Sequence, residues 1–219
     1  MKSFSVSDLD RKDIYSLIIS LIAPRPIALV STVSRSGIDN LAPFSYFNGI
    51  GSNPASLSFS IATKEDGSLK DTAKNLLETK NCVVNFVTED VFEAMKLTAN
   101  DFEANIDEFS EAKLTKLPSD LIKSMRVKES IAQFECELID LMNVSNRLES
   151  LLEHSILGFN HKLEPGSGNL AVCRIIKVHF SESILRDGTN HKIDALKYLP
   201  IARLGARHYL KSSIDNFIQ

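Results

Sequence analysis

The feature of the sequence that most constrains its fold is a set of short segments in which polar and apolar residues alternate. Residues 56–61 alternate serine with large apolar residues, and residues 133–138 alternate polar with apolar side chains in the same way. A period of two places successive side chains on opposite faces of a β-strand. We therefore predict two half-buried strands. The second has a face open to water that carries Gln133, Glu135 and Glu137.

Other segments add strands and a smaller number of helices. Runs of β-branched residues predict strands at 27–33 and 82–87, and the aromatic-rich run 41–48 is the predicted second half of a hairpin with the first of them. Apolar residues spaced for one face predict a helix over 7–22 with Ser7 as its N-cap. Further strands are predicted near Leu157 and Phe159 and over 170–180, and further helices over 71–78, around 92–97 and from Pro118.

The order of these elements indicates the fold class. Strands outnumber helices and do not alternate regularly with them, which is typical of an antiparallel β-barrel rather than of a doubly wound parallel sheet. The length of 219 residues fits one domain. We expect a single domain over residues 1–219, mainly β with peripheral helices (α+β).

Composition excludes several classes of protein. The formal net charge is −3, so electrostatics offers no general attraction to nucleic acid or to an acidic membrane surface. The longest apolar stretch, residues 17–23, is far shorter than a membrane-spanning helix. Acidic rather than basic residues precede that stretch, unlike a secretory signal, and we expect a cytoplasmic protein.

The cysteines, glycines and histidines do not form a recognisable catalytic or metal-binding motif. The three cysteines are odd in number and far apart in the sequence, which excludes a disulfide framework. Gly166 to Ala171 match G-x-G-x-x-A, but a β-run follows instead of a helix, so we interpret the segment as a hairpin turn. The five histidines lack metal-ligand spacing, and His179 is predicted to be solvated. We therefore predict no metal site.

A first candidate binding segment leads a loop into the helix predicted at 71–78. A helix N-terminus presents free N–H groups and a positive dipole, and Lys70 with the hydroxyl of Thr72 completes a cradle suited to a phosphate. The alternative is that Asp71 is only a helix cap beside an exposed lysine, since aspartate and threonine are favoured at any helix start.

A second candidate is the run 41–48. Its small residues allow a planar ligand to approach the backbone, its aromatic residues can wall such a ligand, and Ser45 and Asn48 offer hydrogen bonds. Ser31 and Thr32 could add a third wall. The alternative is a strand whose aromatic rings pack in the core without any ligand.

Taken together and in order, these segments resemble the flavin reductase-like, FMN-binding split-barrel family. The resemblance lies in residues 24–32, 41–48 and 70–75. It extends to residues 107–109 with Leu114, to residues 135–138, and to residues 203–205 with Tyr209, so that it spans nearly the whole chain. The lysine-aspartate-threonine sequence at residues 70–72 is similar to that of the flavoredoxin-like branch. The motifs are not specific for one substrate.

The resemblance implies a six-stranded split barrel, a homodimer, and one FMN per subunit at or near the dimer interface, with FAD as the alternative flavin. It implies that Lys70 and Thr72 hold the FMN phosphate while Asp71 caps the helix. It also implies that the ribityl chain and isoalloxazine are lined by Ser31, Thr32, Ala42, Pro43, Phe44, Ser45, Tyr46, Phe47 and Asn48.

The resemblance further implies an oxidoreductase in which bound FMN takes hydride from NADH or NADPH and passes electrons to free flavin, a partner protein or a metal-bound acceptor. No catalytic side chain is assigned, because the cofactor carries the chemistry. Arg203, with Arg207 and Lys211, could meet the FMN phosphate, a nicotinamide nucleotide or the neighbouring subunit. The alternative is an exposed cluster that only forms surface ion pairs. The alternatives are a flavin reductase that supplies a separate monooxygenase and a non-catalytic FMN-binding electron carrier.

Overall fold

The computed structural model describes residues 1–145 and 163–216. The α-helices are α1 (Arg11–Leu21), α2 (Asp71–Thr79), α3 (Glu89–Leu97) and α4 (Glu108–Glu111). The strands are β1 (Arg25–Pro26), β2 (Ala28–Val33), β3 (Asp39–Phe44), β4 (Phe47–Ser52), β5 (Ala55–Ala62), β6 (Asn81–Phe86), β7 (Lys116–Leu117), β8 (Arg126–Val127), β9 (Ala132–Asn143), β10 (Gly168–Phe180), β11 (Ile201–Arg203) and β12 (Tyr209–Lys211). The strand predicted near Leu157 and Phe159 lies outside the described residues.

Most of the strands belong to one antiparallel sheet with the order β3-β2-β6-β9-β10-β5-β4. The strands β3 and β4 follow each other in the chain but occupy opposite edges of this sheet. Because only two residues join them, the sheet must curl until its edges meet, which produces a split barrel. The prediction of a mainly β fold with peripheral helices is confirmed, whereas the count of six strands is not, since the sheet has seven.

The additional strand arises where the run 41–48, predicted as one strand, divides in two. The strand β3 pairs with β2 as far as Phe44, and β4 begins at Phe47 and pairs with β5. The two residues between them are held in the bend, since Ser45 Oγ accepts a hydrogen bond from Arg25 and the Tyr46 carbonyl accepts one from the Ser60 N–H. The hairpin prediction is therefore correct only up to Phe44.

The first helix begins later than predicted. Asp10, not Ser7, is the N-cap of α1, and its carboxylate accepts the Asp13 N–H at 2.8 Å. Its charge also suits the positive end of the helix dipole. Residues 6–8 form a separate 3-10 turn before it.

The three cysteines meet inside the barrel although they are far apart in the sequence. Cys82 on β6 lies opposite Cys136 on β9, and Cys173 lies on the next strand. All three are free thiols without exposed surface, in a core cluster that also contains Phe59 and Leu76. Hydrogen bonding to Cys82 and burial raise the pKa of the Cys173 thiol, so it packs as a neutral group.

The face of β9 that was predicted to be open to water is largely covered. Gln133 and Glu135 are both buried. Gln133 donates to the Val127 and Ser130 carbonyls, and residues 118–124 fold across Glu135 instead of forming the helix predicted from Pro118. The carboxylate of Glu135 accepts the backbone N–H groups of Asp120 and Leu121, each at 2.8 Å. A loop laid over a strand needs such acceptors for its backbone donors.

His179 is also less solvated than predicted, since its Nε2 lies 2.6 Å from Glu135 Oε1. Asp120, Glu135 and His179 place ligand-type atoms within 4.8 Å of one another, a proximity that their spacing in the sequence does not indicate. The Nζ of Lys177 lies 2.5 Å from Asp120, so a cation already balances this carboxylate. Burial alone would raise the pKa of Glu135. Hydrogen bonds from the Asp120 N–H and from His179 outweigh burial and hold this pKa below its usual value.

We predict that Glu135→Gln lowers the free energy of unfolding at pH 7 by about 2 kcal/mol, because an amide cannot accept both loop N–H groups. A glutamate with a lowered folded pKa stabilises fully above its usual value of 4.5, and the stabilisation is lost as the pH falls through the folded pKa. Urea unfolding between pH 3 and 7 measures the free energy of unfolding of both proteins. The difference between wild type and variant should be present at pH 7 and disappear in acid.

The matched control is Glu137→Gln on the same strand, where the carboxylate is 47% exposed and pairs with Arg174. This exposed pair should contribute less than about 1 kcal/mol. An equal decrease in the free energy of unfolding in the two variants would contradict the role assigned to Glu135.

Candidate functional site

Two adjoining cavities lie where the edges of the curled sheet meet. The first, the α1 cavity, has a volume of about 580 Å³ and is lined by residues of α1 and of the β3–β4 bend. The second, the α2 cavity, has about 700 Å³ and is lined by the start of α2 and by residues 98–102. Together they form the groove, and both are lined by Pro43, Phe44, Ala62, Glu65, Lys70 and Gly166.

The α1 cavity has an aromatic wall with fixed geometry. Phe44 packs on the core residue Phe59 with 5.5 Å between ring centroids. The guanidinium of Arg25 lies 5.9 Å from the ring centroid of Tyr46 and is buried beneath this wall. Burial and the neighbouring Tyr15 raise the pKa of Tyr46, while Arg25 opposes that change. Tyr46 therefore remains a neutral phenol that can donate a hydrogen bond.

The α2 cavity combines a helix N-terminus with one lysine. Lys70 is the N-cap of α2 but provides no side-chain cap, so the first N–H groups of the helix have no side-chain partner. Asp71 and Thr72, which begin the helix, line the cavity. The Nζ of Lys70 lies 3.6 Å from Asp101 Oδ1 across the cavity. Asp71 does not cap the helix as predicted, because its carboxylate pairs with Lys74 and Lys64.

A buried set of amides and hydroxyls supports this end of the groove. Asn40 Nδ2 donates to both Thr32 Oγ1 and Thr72 Oγ1, at 3.2 and 3.0 Å. Asn75 Nδ2 also donates to Thr32 Oγ1. Since Thr72 lines the cavity and its oxygen accepts from Asn40, its O–H can donate into the cavity.

Glu108 places a second kind of polar group in the α2 cavity. It is 9% exposed, and one carboxylate oxygen accepts the Leu41 N–H at 3.0 Å. Burial raises the pKa of Glu108, and the neighbouring charges of Asp107 and Asp71 add to this effect. Glu108 is therefore more readily protonated than an ordinary glutamate.

The structure brings most of the predicted site residues together. Those that line the groove are Ala42, Pro43, Phe44, Ser45, Tyr46, Lys70, Asp71 and Thr72. Thr32 supports the groove from behind through Asn40, while Phe47 packs on the core and Asn48 is exposed on β4.

Ser31 and Arg203 do not line the groove. Ser31 points to the opposite side of β2 from Thr32, and its hydroxyl donates to the Met125 carbonyl. Strand alternation explains this separation, since neighbouring residues cannot share a face. Arg203 stacks on Tyr209 with 4.4 Å from its Cζ to the ring centroid and donates to the Ala206 carbonyl.

Several residues that line the groove were missed by the sequence reasoning. Asn40 lies beside the predicted run 41–48, and Glu108 belongs to the segment 107–109 that carried the family resemblance. Arg11, Lys12 and Tyr15 come from α1, which was interpreted only as an amphipathic helix. Their contribution depends on how α1 packs, and no local pattern indicates that.

Comparison with known proteins assigns the chain to a family. A model of the "Flavin reductase like domain" matches residues 21–196. The chain is 38% identical to an uncharacterized protein of Aquifex aeolicus, with 95% of each chain covered. Its structure is similar to nitrilotriacetate monooxygenase component B from Bacillus cereus, with a TM-score of 0.83, 31% identity, and 97% of this chain and 96% of that chain covered.

The structure is also similar to that of 2-nitrobenzoate 2-nitroreductase NbaA from Pseudomonas fluorescens. The TM-score is 0.82 at 26% identity, and the match covers all of this chain and 95% of that one. The chain therefore belongs to the flavin reductase-like family, whose split-barrel fold it shares. The groove is the candidate flavin site.

We predict that Lys70→Gln weakens FMN binding about tenfold, because it removes a charge-assisted contact to the phosphate. Asp101→Asn should strengthen FMN binding, since it removes the carboxylate that competes with the phosphate for Lys70. Quenching of flavin fluorescence during titration measures both dissociation constants. Lys80→Gln, at the other end of α2 and outside the groove, is the matched control. Equal affinity in the Lys70 and Lys80 variants would refute the phosphate assignment.

Proposed function

We propose that the protein is an FMN-binding oxidoreductase that takes hydride from NADH or NADPH and passes the electrons to a further acceptor. The observation that carries this proposal is the division of the groove into two chemically different ends. One end holds Thr72 and the start of α2, the other holds Ser45 and Tyr46, and Lys70 and Phe44 line both cavities. FMN has a phosphate dianion at one end and a flat, largely apolar ring system at the other.

The groove residues fit FMN by chemistry and by size. Each cavity lies within the range of roughly 300 to 1,000 Å³ that small-molecule sites occupy. Lys70, the Thr72 hydroxyl and the free N–H groups of α2 would hold the phosphate. Four of the nearby carboxylates have other partners: Asp71 pairs with Lys74, Asp66 accepts the Ser68 N–H, Glu65 pairs with Arg11 and Glu108 accepts the Leu41 N–H.

When bound, FMN would supply the redox chemistry, as acceptor of a hydride and donor of two electrons. The chain's own residues would bind and orient it. Pro43 and Phe44 would form the surface against which the ring packs, and Tyr46 and Ser45 would offer hydroxyl groups at the bend. Arg25 would keep that bend in place from below.

A second candidate function is a flavin reductase that supplies reduced flavin to a separate monooxygenase. The similarity to nitrilotriacetate monooxygenase component B supports this candidate. The two functions differ in whether flavin remains bound or leaves after reduction. FMN and FAD affinities measured on the same protein distinguish the preferred flavin.

We predict that the purified protein retains FMN and that NADH or NADPH bleaches its absorbance near 450 nm without oxygen. A colourless protein that turns over added flavin with saturation would favour the reductase component. Retained FMN that neither nucleotide reduces would contradict the proposed hydride transfer and favour a non-catalytic electron carrier. Each outcome is measured by anaerobic titration of the same preparation.

We also propose a homodimer with the groove near its interface. The helix α1 has one buried residue, Ile19, and exposes Leu17, Ile18, Leu21 and Ile22. Contiguous exposed apolar surface of this kind is typical of interaction sites. Because the same helix carries Arg11, Lys12 and Tyr15 into the α1 cavity, a second subunit on α1 would lie beside the flavin site.

We predict that Leu21→Asp, at a side chain 79% exposed, converts the dimer to monomer, because it places a charge in the proposed apolar contact. Sedimentation velocity measures the change. Leu97→Asp, at an exposed leucine on α3, is the control and should remain dimeric. A wild-type protein that sediments as a monomer would contradict the proposal.

The helices and the cysteines bear on the cellular location of the protein. No helix in the part of the chain that the structure describes is long and apolar enough to cross a membrane. The three free thiols in the core suit a reducing compartment, and we propose that the protein is cytoplasmic and consists of one domain over residues 1–219.

A further inference from the structure

The α1 cavity and the α2 cavity differ in charge. Among the described residues, the α1 cavity is lined by the cations Arg11, Lys12 and Lys70 against the single carboxylate of Glu65. The α2 cavity is lined by two lysines and five carboxylates. In a chain of net charge −3, the α1 cavity is therefore a local positive region. Such a region attracts anions and raises their local concentration.

Arg11 is held across the edge of this cavity. Its Nη2 donates to both carboxylate oxygens of Glu65, at 2.7 and 2.9 Å. The guanidinium lies over Gly166, where an added Cβ would be 2.9 Å from Arg11 Nη1. A residue with a side chain at position 166 would displace Arg11, so the glycine allows the arginine to reach the groove.

The pair between Arg11 and Glu65 can be exchanged at small cost. The two side chains are 53% and 80% exposed, and exposed ion pairs contribute little to stability. The neighbouring Lys12 has no ion-pair partner within the residues that the structure describes. An anion entering the α1 cavity can therefore replace Glu65 on Arg11 and use Lys12 as a second contact.

The same cavity presents aromatic side chains beside these cations. Tyr15 from α1 and Tyr46 from the bend both line it, together with Phe44. A molecule that exchanges electrons with a flavin must lie against the flavin ring, which the proposed function places on the Phe44 wall. An anionic group on such a molecule would then lie within the reach of α1.

We propose that Arg11 and Lys12 bind the anionic group of the molecule that exchanges electrons with the flavin, and so select a negatively charged donor or acceptor. This inference rests on the proposed function. The shared chemistry is a planar redox compound that carries an anion, either the pyrophosphate of a nicotinamide dinucleotide or an acid group on an aromatic acceptor. In the absence of that anion, Glu65 pairs with Arg11.

The test compares wild-type protein with the double variant Arg11→Gln, Lys12→Gln, both loaded with FMN. Stopped-flow reduction by NADH gives the concentration for half-maximal rate, and reoxidation is followed with 1,4-naphthoquinone and with its 2-sulfonate. Each quinone takes two electrons and two protons to become the hydroquinone. Arg35→Gln, an exposed arginine outside the groove, is the matched control.

We expect the double variant to raise the half-saturating concentration about tenfold for an anionic reactant, as loss of a charge-assisted contact predicts. A rise for NADH assigns the anion to the donor, and a rise for the sulfonate assigns it to the acceptor. The value for the neutral quinone should not change. Both proteins are compared at saturating FMN, because Arg11 and Lys12 line the candidate flavin site. Glu65→Gln should lower the half-saturating concentration of that anionic reactant, because it removes the carboxylate that competes for Arg11.

Two results would overturn the inference while leaving the proposed function intact. One is unchanged half-saturation for both NADH and the sulfonate in a variant that still binds and reduces FMN. The other is an equal rise for the neutral quinone, which would indicate a structural effect. A wild-type protein that binds no flavin would overturn the proposed function together with this inference.

Discussion

The buried guanidinium of Arg25 is the contact on which the arrangement of the groove depends. It is 4% exposed and donates to the Ile19 and Ile22 carbonyls at the end of α1, and to the Leu204 carbonyl after β11. A cation satisfies the free carbonyls of a helix C-terminus and the negative end of its dipole. The same group also reaches Ser45, so one side chain joins α1, the segment after β11 and the bend.

The groove exists because the curled sheet brings its two edge strands together at that bend. Pro43 to Tyr46 lie at the junction, and β5 contributes Ser60 and Ala62 from beside it. The α2 helix starts on the other side with Lys70. A helix N-terminus at one end and an aromatic wall at the other thus face one space, and a flavin nucleotide requires such a division of chemistry.

Much of the fold and part of the candidate site could be predicted from the sequence, and the failures have physical reasons. The strand β5 and the helix α2 were predicted almost to the residue, because alternation and helix-start residues act locally. Glu135 was predicted to be exposed, since its position in an alternating strand does not show that a loop covers it. Ser31 was grouped with Thr32, although neighbouring strand residues face opposite sides.

The sequence by itself determined the mainly β class, the segments that line the groove and the family they indicate, since period, turn residues and capping depend on neighbours in the chain. Only the tertiary structure decided which distant residues meet. Arg11 contacts Glu65 and Arg25 contacts Leu204 because the sheet curls and α1 packs against its split edge. These contacts arise from chain closure over 54 and 179 residues, and no local pattern encodes them.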